Sequence, residues 1–449
     1  MKEAQVLKKS LPYRNIDLQH LTEKLHDLAP PAIGNVDELP DAVERGCCTI
    51  MDAASECTRQ QASAPNALSD QSRPHWARIL ENRDPKIIWK SLNWKGTFDN
   101  VEETHPSDDS FKDHFEHLLN ENEINVPINN IDVETAPYIP VLDDSFSPIE
   151  MEKALENLNQ NKSYLGICPG ILKILPVTWF IFLLTIFNLV FTQTCYPLKW
   201  CYSKLVVLYK SGDKMSCDNY RGISIMDTLA KIYDTLILNR LLLWFNIDKC
   251  QAGAQKGRGC IEQILTLRML CDYFLYKKLK LYVLFIDYSK AYDRVPRHKL
   301  IEVLKSRGCG KVMLKAIQAM YTCTKNVLKT AVISAAIGVR QGAPSSCLLF
   351  IIYINEMVKM LKNAIAADGV LGLLHALLLM DDTVILATSR ERCEAKLRVV
   401  IQYCQEFGMI INTKKTQFFV INGNKDDMIP LEIDRTKVCY THQYLYLGA

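Results

Sequence analysis

The sequence lacks the cysteine patterns of small secreted domains and of zinc sites. Its 16 cysteines include no Cys-x-x-Cys pair and no Cys/His cluster at zinc-ligand spacing. A chain of 449 residues has enough length for a sizeable core and does not need a disulfide framework. We therefore expect free thiols in a reducing compartment, which predicts an intracellular protein of the nucleus or cytoplasm.

The sequence also lacks a recognisable targeting or membrane-spanning segment. Met1 to Lys9 mixes charges with few apolar residues, unlike a signal peptide. The most hydrophobic run, residues 174–191, lies at the lower edge of membrane-spanning length and contains several polar residues. Because no polybasic flank or second span accompanies it, we interpret it as a buried helix and expect no membrane association.

The charge of the chain is distributed unevenly. Residues 1–140 hold 14 Lys+Arg against 24 Asp+Glu, and the remainder holds 39 against 26. The net charges are therefore −10 and +13. A basic body behind an acidic leader suggests a polyanionic partner for the body, although solvated faces can also divide in this way.

Composition and the positions of loop-forming residues divide the chain into three parts. Hydrophobic residues make up 48% and charged residues 23%, as in a globular protein. Residues 1–75, interrupted by prolines, predict a loosely ordered leader or linker with short helical patches such as Leu18 to Leu28. Residues 76–144 predict a mostly helical extension, because Phe111, Phe115 and Leu118 recur at helical spacing. Residues 145–449 form the main body, which opens with a helix start at Ser147-Pro148.

The main body alternates buried strands, helices and basic loops. The pattern predicts strands at residues 204–209, 219–225, 279–286, 409–412 and 417–421. It predicts helices at residues 227–245, 297–307 and 346–361, and a further helix that begins with a capping box at residues 388–391 and is ended by Gly408. A flexible loop is predicted at residues 337–345.

One hairpin, residues 377–387, carries the strongest chemical signal. Asp381 and Asp382 stand between two nearly pure runs of Leu, Val and Ile. Asp is a common turn residue, so a plain turn is one interpretation. The other is a metal site, since buried strands hold the turn rigidly and a divalent cation relieves the repulsion between the carboxylates.

A third carboxylate and several cations extend this site. Asp287 ends the strand at residues 279–286, and sheet pairing would bring it to Asp381. We expect Lys210, Arg221, Arg340 and Lys415 to surround these carboxylates. Carboxylates combined with substrate phosphates are typical Mg²⁺ ligands, and two such ions about 3.5–4 Å apart clamp an in-line phosphoryl transfer. The cations would neutralise a triphosphate, so the constellation indicates nucleotidyl transfer.

A series of ordered motifs in residues 145–449 resembles the reverse transcriptase domain of LINE-type (non-LTR) retrotransposons. The motifs are Asn219-Tyr220-Arg221, Gln251-Ala252-Gly253, Phe285-Ile286-Asp287, Lys290-Ala291-Tyr292-Asp293, Gly338 to Pro344, Met380-Asp381-Asp382, Gly408 through Asn412 to Lys415-Thr416, and Tyr446-Leu447-Gly448.

The resemblance implies an α+β fold of the right-hand polymerase type. It implies fingers and a palm, the palm being an antiparallel sheet backed by helices, and we expect the chain to stop before the thumb. The implied activity is RNA-directed DNA polymerisation, with an RNA template, a DNA primer, dNTPs and Mg²⁺, or Mn²⁺ in its place. Whether this truncated chain is active stays open.

The resemblance also assigns roles to residues. Asp287, Asp381 and Asp382 would be the metal-binding catalytic aspartates. Tyr292 would be the steric gate beside the sugar 2′ position, and Lys415 would protonate the leaving pyrophosphate. The nucleotide-binding residues would be Lys210 and Arg221 on the triphosphate, with Gln341 and Gly342 near nucleotide and template. Tyr292 as a core residue, Lys415 as a solvated turn cation and Arg340 as a loop or template support are the alternatives.

Two other functions remain open. An RNA-dependent RNA polymerase shares the palm chemistry, but the bulk of Tyr292 disfavours ribonucleotides. A non-catalytic nucleic-acid-binding remnant of a retroelement is the second alternative. The segment Lys162 to Gly170 keeps only part of the family's signature, and residues 1–140 show no recognisable endonuclease.

Overall fold

The chain folds into two β-sheets surrounded by helices. The computed structural model describes residues 16–58, 105–120, 126–159, 165–364, 371–372 and 374–448. The mixed α+β class predicted from the sequence is confirmed. The remaining parts of the predicted leader (residues 1–15 and 59–75), the start of the predicted extension (residues 76–104) and residues 162–164 of the partial signature lie outside the described residues.

Residues 16–58 of the predicted leader are more regular than loosely ordered, and the helical patch predicted at Leu18 to Leu28 is present. They form helices α1 (Leu18–Asp27) and α2 (Leu39–Glu56), whose apolar faces are buried. The indole Nε1 of Trp179 donates to the carbonyl oxygens of Leu25 (2.9 Å) and Leu28 (3.1 Å). The prolines lie in the connections around these helices. Trp179, which contacts the end of α1, follows about 150 residues later in the chain, so a local sequence pattern cannot reveal this packing. The division into three parts stays a prediction.

Short helices connect the leader to the sheets. Helix α3 (Asp108–Leu118) buries the three residues whose spacing predicted it. The helices that follow are α4 (Pro140–Asp143), α5 (Pro148–Glu156), α6 (Pro169–Leu172), α7 (Val177–Gln193) and α8 (Leu198–Cys201). Ser147 and Glu150 form a capping box at the start of α5, as the Ser-Pro signal predicted.

Helix α7 contains residues 177–191 of the hydrophobic run, which begins three residues before the helix. Seven of its side chains are buried, among them Trp179, Phe187 and Phe191, whereas Val177 and Ile181 are exposed. The predicted helix is confirmed. Within the described residues, no helix combines the length and apolar content needed to cross a membrane.

Sheet A has four strands in the order β2-β1-β4-β5. Its strands are β1 (Tyr202–Tyr209), β2 (Tyr220–Met226), β4 (Thr324–Leu328) and β5 (Ala331–Ala335). The β1–β2 hairpin is antiparallel, with Leu208 opposite Arg221, and it contains the strands predicted at residues 204–209 and 219–225. Helix α3 packs on this sheet through Phe111 and Phe115.

Sheet B has six strands in the order β6-β7-β3-β8-β10-β9. Its strands are β3 (Leu281–Ile286), β6 (Ala376–Leu379), β7 (Asp382–Ala387), β8 (Gln417–Ile421), β9 (Leu431–Ile433) and β10 (Thr436–Tyr440). Every neighbouring pair is antiparallel except β8 and β10. The strand predicted at residues 409–412 is absent; Ile411 makes only an isolated bridge to Tyr288, because a turn interrupts the chain before β8.

Both faces of sheet B are covered. The remaining helices are α9 (Thr228–Trp244), α10 (Cys260–Lys277), α11 (Arg297–Ser306), α12 (Lys311–Thr322), α13 (Ser346–Ala364) and α14 (Arg390–Phe407). Alternate residues of β3 face opposite sides, as strand geometry requires. Tyr282 and Leu284 join the main core with α13 and α14, whereas Val283 and Phe285 pack with α10. Strand β3 is therefore buried on both faces, which explains its continuous apolar sequence.

Candidate active site

Strand pairing brings two of the predicted aspartates to one edge of sheet B. In the antiparallel β3–β7 pair, Ile286 lies opposite Thr383. Asp287 follows Ile286 and Asp382 precedes Thr383, so these two aspartates stand at adjacent strand ends. Asp382 is exposed and Asp287 is half-buried. The sequence predicted that sheet pairing would bring Asp287 to Asp381, and the strand register sets Asp287 beside Asp382, the next residue in the chain.

Asp381 lies in the tight turn between β6 and β7. Leu379 pairs with Asp382, which leaves Met380 and Asp381 as the two turn residues. Met380 has φ +59°, in the left-handed region that residues other than glycine seldom adopt. Since the flanking strands are buried, the direction of the half-buried Asp381 carboxylate depends on the conformation of Met380.

The three aspartates repel one another. Partial removal from water, followed by the charges of Asp381 and Asp287, raises the pKa of Asp382 to about 6. Burial also raises the pKa of Asp381, with a smaller contribution from Asp287. Lys210 and Arg221 act in the opposite direction on both carboxyl groups, so these two cations lie within the electrostatic reach of the site.

Lys210 and Arg221 are carried by the β1–β2 hairpin of sheet A. Both side chains are exposed. The Lys210 amide donates to the Asn219 carbonyl oxygen (2.9 Å), next to the loop that connects the two strands. Lys290, which follows Asp287 by three residues, donates through Nζ to the carbonyl oxygens of Asp218 (2.7 Å) and Tyr220 (3.2 Å). This contact ties the basic hairpin to the acidic edge of sheet B.

Lys415 lies in a turn that is attached to the backbone of Asp287. The Asp287 amide donates to Thr416 Oγ1 (3.1 Å), and the Asp287 carbonyl accepts from the Asn412 amide (2.8 Å). The Lys415 amide donates to the Asn412 carbonyl (3.1 Å), and its side chain is exposed. The cation is thus held near Asp287 through backbone contacts and remains free to reach a ligand.

Arg340 does not belong to the ring of cations in which we placed it. It is 5% exposed, and its guanidinium donates to the carbonyl oxygens of Met320 (2.8 Å) and Trp200 (3.5 Å). It also lies over the ring of Tyr321, 5.8 Å from the centroid. The alternative role, support of its own loop, agrees with these contacts, because a cation so enclosed cannot reach a substrate phosphate.

Tyr292 lies between the acidic edge and helix α13. Its ring stacks on Phe350, with centroids 4.4 Å apart and planes 15° from parallel. Burial raises its pKa, so the hydroxyl stays protonated. The Tyr292 carbonyl accepts from the Val339 amide (2.9 Å), which joins this segment to the loop at residues 337–345.

Gln341 and Gly342 fix that loop between strand β2 and the turn that contains Asp293. Gln341 Nε2 donates to Asp293 Oδ2 (2.7 Å), and the Gln341 carbonyl accepts from the Ser224 amide (2.7 Å). Gly342 has φ +112°, and a Cβ there would lie 2.6 Å from the Ser224 carbonyl oxygen. The loop predicted to be flexible is therefore anchored at both of these residues, and glycine is required at position 342.

The site offers carboxylates for a divalent cation but not a complete cage. Within the residues that the structure describes, no three His, Cys, Asp or Glu side chains lie close enough together to form a ready-made metal site. Mg²⁺ usually takes one or two carboxylates and completes its shell with water and substrate phosphates. The repulsion among Asp287, Asp381 and Asp382 is relieved by a cation, so these residues fit a site completed by the substrate.

Sequence reasoning did not assign a role to two residues that the structure places here. Gln251 bonds to the backbone of Met380 through its side chain. Asp293 accepts from Gln341, and removal from water raises its pKa to about 6. Both occur in the motifs that carry the family resemblance, but a motif does not show which backbone groups a buried side chain contacts.

Comparison with known proteins identifies related sequences. The family described as "Reverse transcriptase (RNA-dependent DNA polymerase)" matches residues 209–449. A Pol polyprotein from the type-1 retrotransposable element R2 of Nasonia vitripennis is 25% identical over 279 residues, covering 59% of this chain and 27% of that protein. A probable RNA-directed DNA polymerase from transposon BS of Drosophila melanogaster is 25% identical over 348 residues, covering 70% of this chain and 38% of that protein.

The matched relatives are longer proteins. The RNA-directed DNA polymerase from mobile element jockey of Drosophila funebris is 25% identical over 296 residues, covering 62% of this chain and 32% of that protein. The chain thus spans between 27% and 38% of the length of these three relatives. A structure of apo telomerase from Candida tropicalis aligns with 60% of this chain and 58% of its own at 13% identity, with a TM-score of 0.38, which is too low to support an argument.

Proposed function

The chain belongs to the reverse transcriptase (RNA-dependent DNA polymerase) family, and we propose on that premise that it is the RNA-directed DNA polymerase of a non-LTR retrotransposon. The resemblance predicted from the sequence is confirmed by the family match and by the R2, BS and jockey relatives. The proposed reaction adds dNTPs to a primer 3′-OH along an RNA template. The observation that carries it is the meeting of Asp287 and Asp382 at adjacent strand ends, beside a hairpin of exposed cations.

In this proposal sheet B is the palm and sheet A belongs to the fingers. Sheet B has helices behind it and its acidic edge open, as a palm requires. Sheet A carries Lys210 and Arg221, which would bind the triphosphate from the opposite side. The tie between Lys290 and the β1–β2 hairpin supports this assignment, because it holds the two parts in contact at the site.

The metal in this proposal is Mg²⁺, with Mn²⁺ as a substitute, held by Asp287, Asp381 and Asp382. When bound, it supplies Lewis-acid charge for an in-line displacement at phosphorus. Lys210 and Arg221 neutralise the oxygens of the incoming triphosphate. Lys415 donates a proton to the departing pyrophosphate oxygen. Tyr292, fixed by its stacking on Phe350, excludes a 2′-hydroxyl from the sugar site.

The test is extension of a DNA primer on an RNA template with Mg²⁺. We expect dNTP-dependent extension by the wild-type chain and its loss in Asp381→Asn and Asp382→Asn. The matched control is Asp426→Asn, which removes an exposed carboxylate in another adjacent Asp pair. Equal extension by all four chains would contradict the assignment of the aspartates.

The same assay separates the two alternative functions. Preferential incorporation of NTPs would indicate an RNA-dependent RNA polymerase. RNA binding that weakens steeply with salt, without extension under any metal, would indicate a non-catalytic remnant. We also propose an intracellular location, in the nucleus or cytoplasm, which the 16 free cysteines support.

A further inference from the structure

The side chain of Gln251 spans both backbone polar groups of one residue in the acidic turn. Gln251 is 1% exposed. Its Oε1 accepts from the amides of Met380 (2.9 Å) and Gly253 (2.8 Å), and its Nε2 donates to the Met380 carbonyl oxygen (3.2 Å). Because two N–H groups point at the same side-chain atom, that atom must be the oxygen of the amide.

The residue held in this way is the one whose backbone is strained. Met380 has φ +59°, a conformation that brings Cβ close to the following carbonyl and that residues with side chains avoid. Such a conformation persists only where the surroundings impose it. Met380 and Asp381 are the only residues between the paired Leu379 and Asp382. A change in the backbone conformation of Met380 therefore moves the Asp381 carboxylate.

The main chain around Gln251 reinforces the contact. Ala252 donates to the Leu378 carbonyl oxygen, and Leu378 donates to the Cys250 carbonyl oxygen, both at 2.8 Å. These bonds form a short parallel bridge along β6. A Cβ at Gly253 would lie 2.7 Å from Met380 Sδ and 2.8 Å from Gln251 Oε1, so glycine is needed beside the amide.

We infer that Gln251 is a positioning residue that holds Met380 in the left-handed conformation presenting Asp381, beside Asp382, to a divalent cation. This inference rests on the metal site of the proposed function. An amide is required because it accepts and donates at once. A glutamate would set an oxygen against the Met380 carbonyl and add charge beside the aspartates. A methionine would fill the volume but leave the Met380 and Gly253 backbone groups unpaired.

The test measures Mn²⁺ binding to the full chain by electron paramagnetic resonance, without any catalytic step. We expect Gln251→Met to weaken Mn²⁺ binding about 10–100-fold, the range found when an outer-shell partner of a metal ligand is removed. Glycine adopts a positive φ without steric cost. Adding Met380→Gly to Gln251→Met should therefore restore part of the lost affinity, which a general loss of stability would not permit.

The matched control is Gln318→Met in α12. Gln318 is 8% exposed and donates to the carbonyl oxygens of Ile128 and Ile131, both at 3.0 Å, so this variant also loses buried amide bonds. We expect its Mn²⁺ affinity to match wild type. Hydrogen exchange should accelerate at residues 377–386 in Gln251→Met and not in Gln318→Met.

The outcomes distinguish this inference from the proposed function. Wild-type affinity in Gln251→Met, an equal loss in Gln318→Met, no recovery with Met380→Gly, or a wild-type chain that binds no Mn²⁺ would each overturn the inference. If the expected Mn²⁺ pattern holds but the wild-type chain extends no primer, the positioning role stands and the polymerase function fails.

Discussion

Replacing Arg240 by methionine should destabilise the packing of the segment around residues 140–150 against α9. Arg240 is 3% exposed. Its guanidinium donates to both carboxylate oxygens of Glu150 (2.6 and 3.0 Å) and to the carbonyl oxygens of Leu142 (3.2 Å) and Ser145 (3.0 Å). It also lies over the ring of Phe146, 4.3 Å from the centroid. One side chain thus satisfies a carboxylate and several backbone acceptors.

The expected cost follows from what Arg240→Met leaves behind. Removing one partner of a buried ion pair costs about 3–5 kcal/mol, because the remaining charge is uncompensated. The Glu150 side chain is 30% exposed and keeps hydrogen bonds from Ser147. Partial access to water lowers the penalty, so we expect about 3 kcal/mol at neutral pH.

Acid should reduce the difference between wild type and Arg240→Met. Burial has the largest single effect and raises the pKa of Glu150, but the hydrogen bonds from Arg240 and Ser147 together with the charge of Arg240 outweigh it, so the net pKa is lowered. A lowered carboxyl pKa stabilises the folded state above the unfolded value of about 4.3 and ceases to do so as the pH falls through the folded value. The difference between the two chains should therefore shrink below about pH 4, while the part due to the backbone carbonyl oxygens that Arg240 bonds should remain.

Urea unfolding followed by tryptophan fluorescence measures both effects. Glu150→Gln is the companion variant, and Arg240→Met with Glu150→Gln should cost less than the sum of the two single changes. A cost below about 1 kcal/mol, typical of an exposed pair, would refute the reasoning. Additive single changes, or a difference that does not shrink in acid, would refute it as well.

Three further predictions concern the candidate site. Tyr292→Val removes the ring that stacks on Phe350 and should raise NTP incorporation relative to dNTPs, measured by competitive primer extension; an unchanged ratio would make Tyr292 a core residue. Gly342→Ala places a Cβ 2.6 Å from the Ser224 carbonyl and should destabilise the loop by about 1–3 kcal/mol in urea unfolding; wild-type stability would contradict it. Lys415→Ala should lower kcat about 10²–10⁴-fold without changing stability, whereas wild-type kcat would leave Lys415 as a solvated turn cation.

Much of the fold and site could be predicted from local patterns. The apolar run of β3 and the hairpin at residues 377–387 identified strands, and the aspartates at their ends indicated the candidate site. Helix α14 ends at Gly408, in the left-handed conformation (φ +67°), as expected for glycine after a helix. These features depend on residues that are close together in the chain, so they can be predicted from the sequence.

The sequence alone determined the α+β class and the family, and it predicted the aspartates of the candidate site, because strand periods, turn residues and ordered motifs are local. Only the tertiary structure decided where distant segments meet. It enclosed Arg340, which the sequence placed among the free cations, and it packed the predicted helical patch of α1 against the distant Trp179. It also set Gln251 against Met380, 129 residues away. Burial and hydrogen-bond partners depend on long-range contacts, and a charge or an amide has the same local signature whether it is enclosed or exposed.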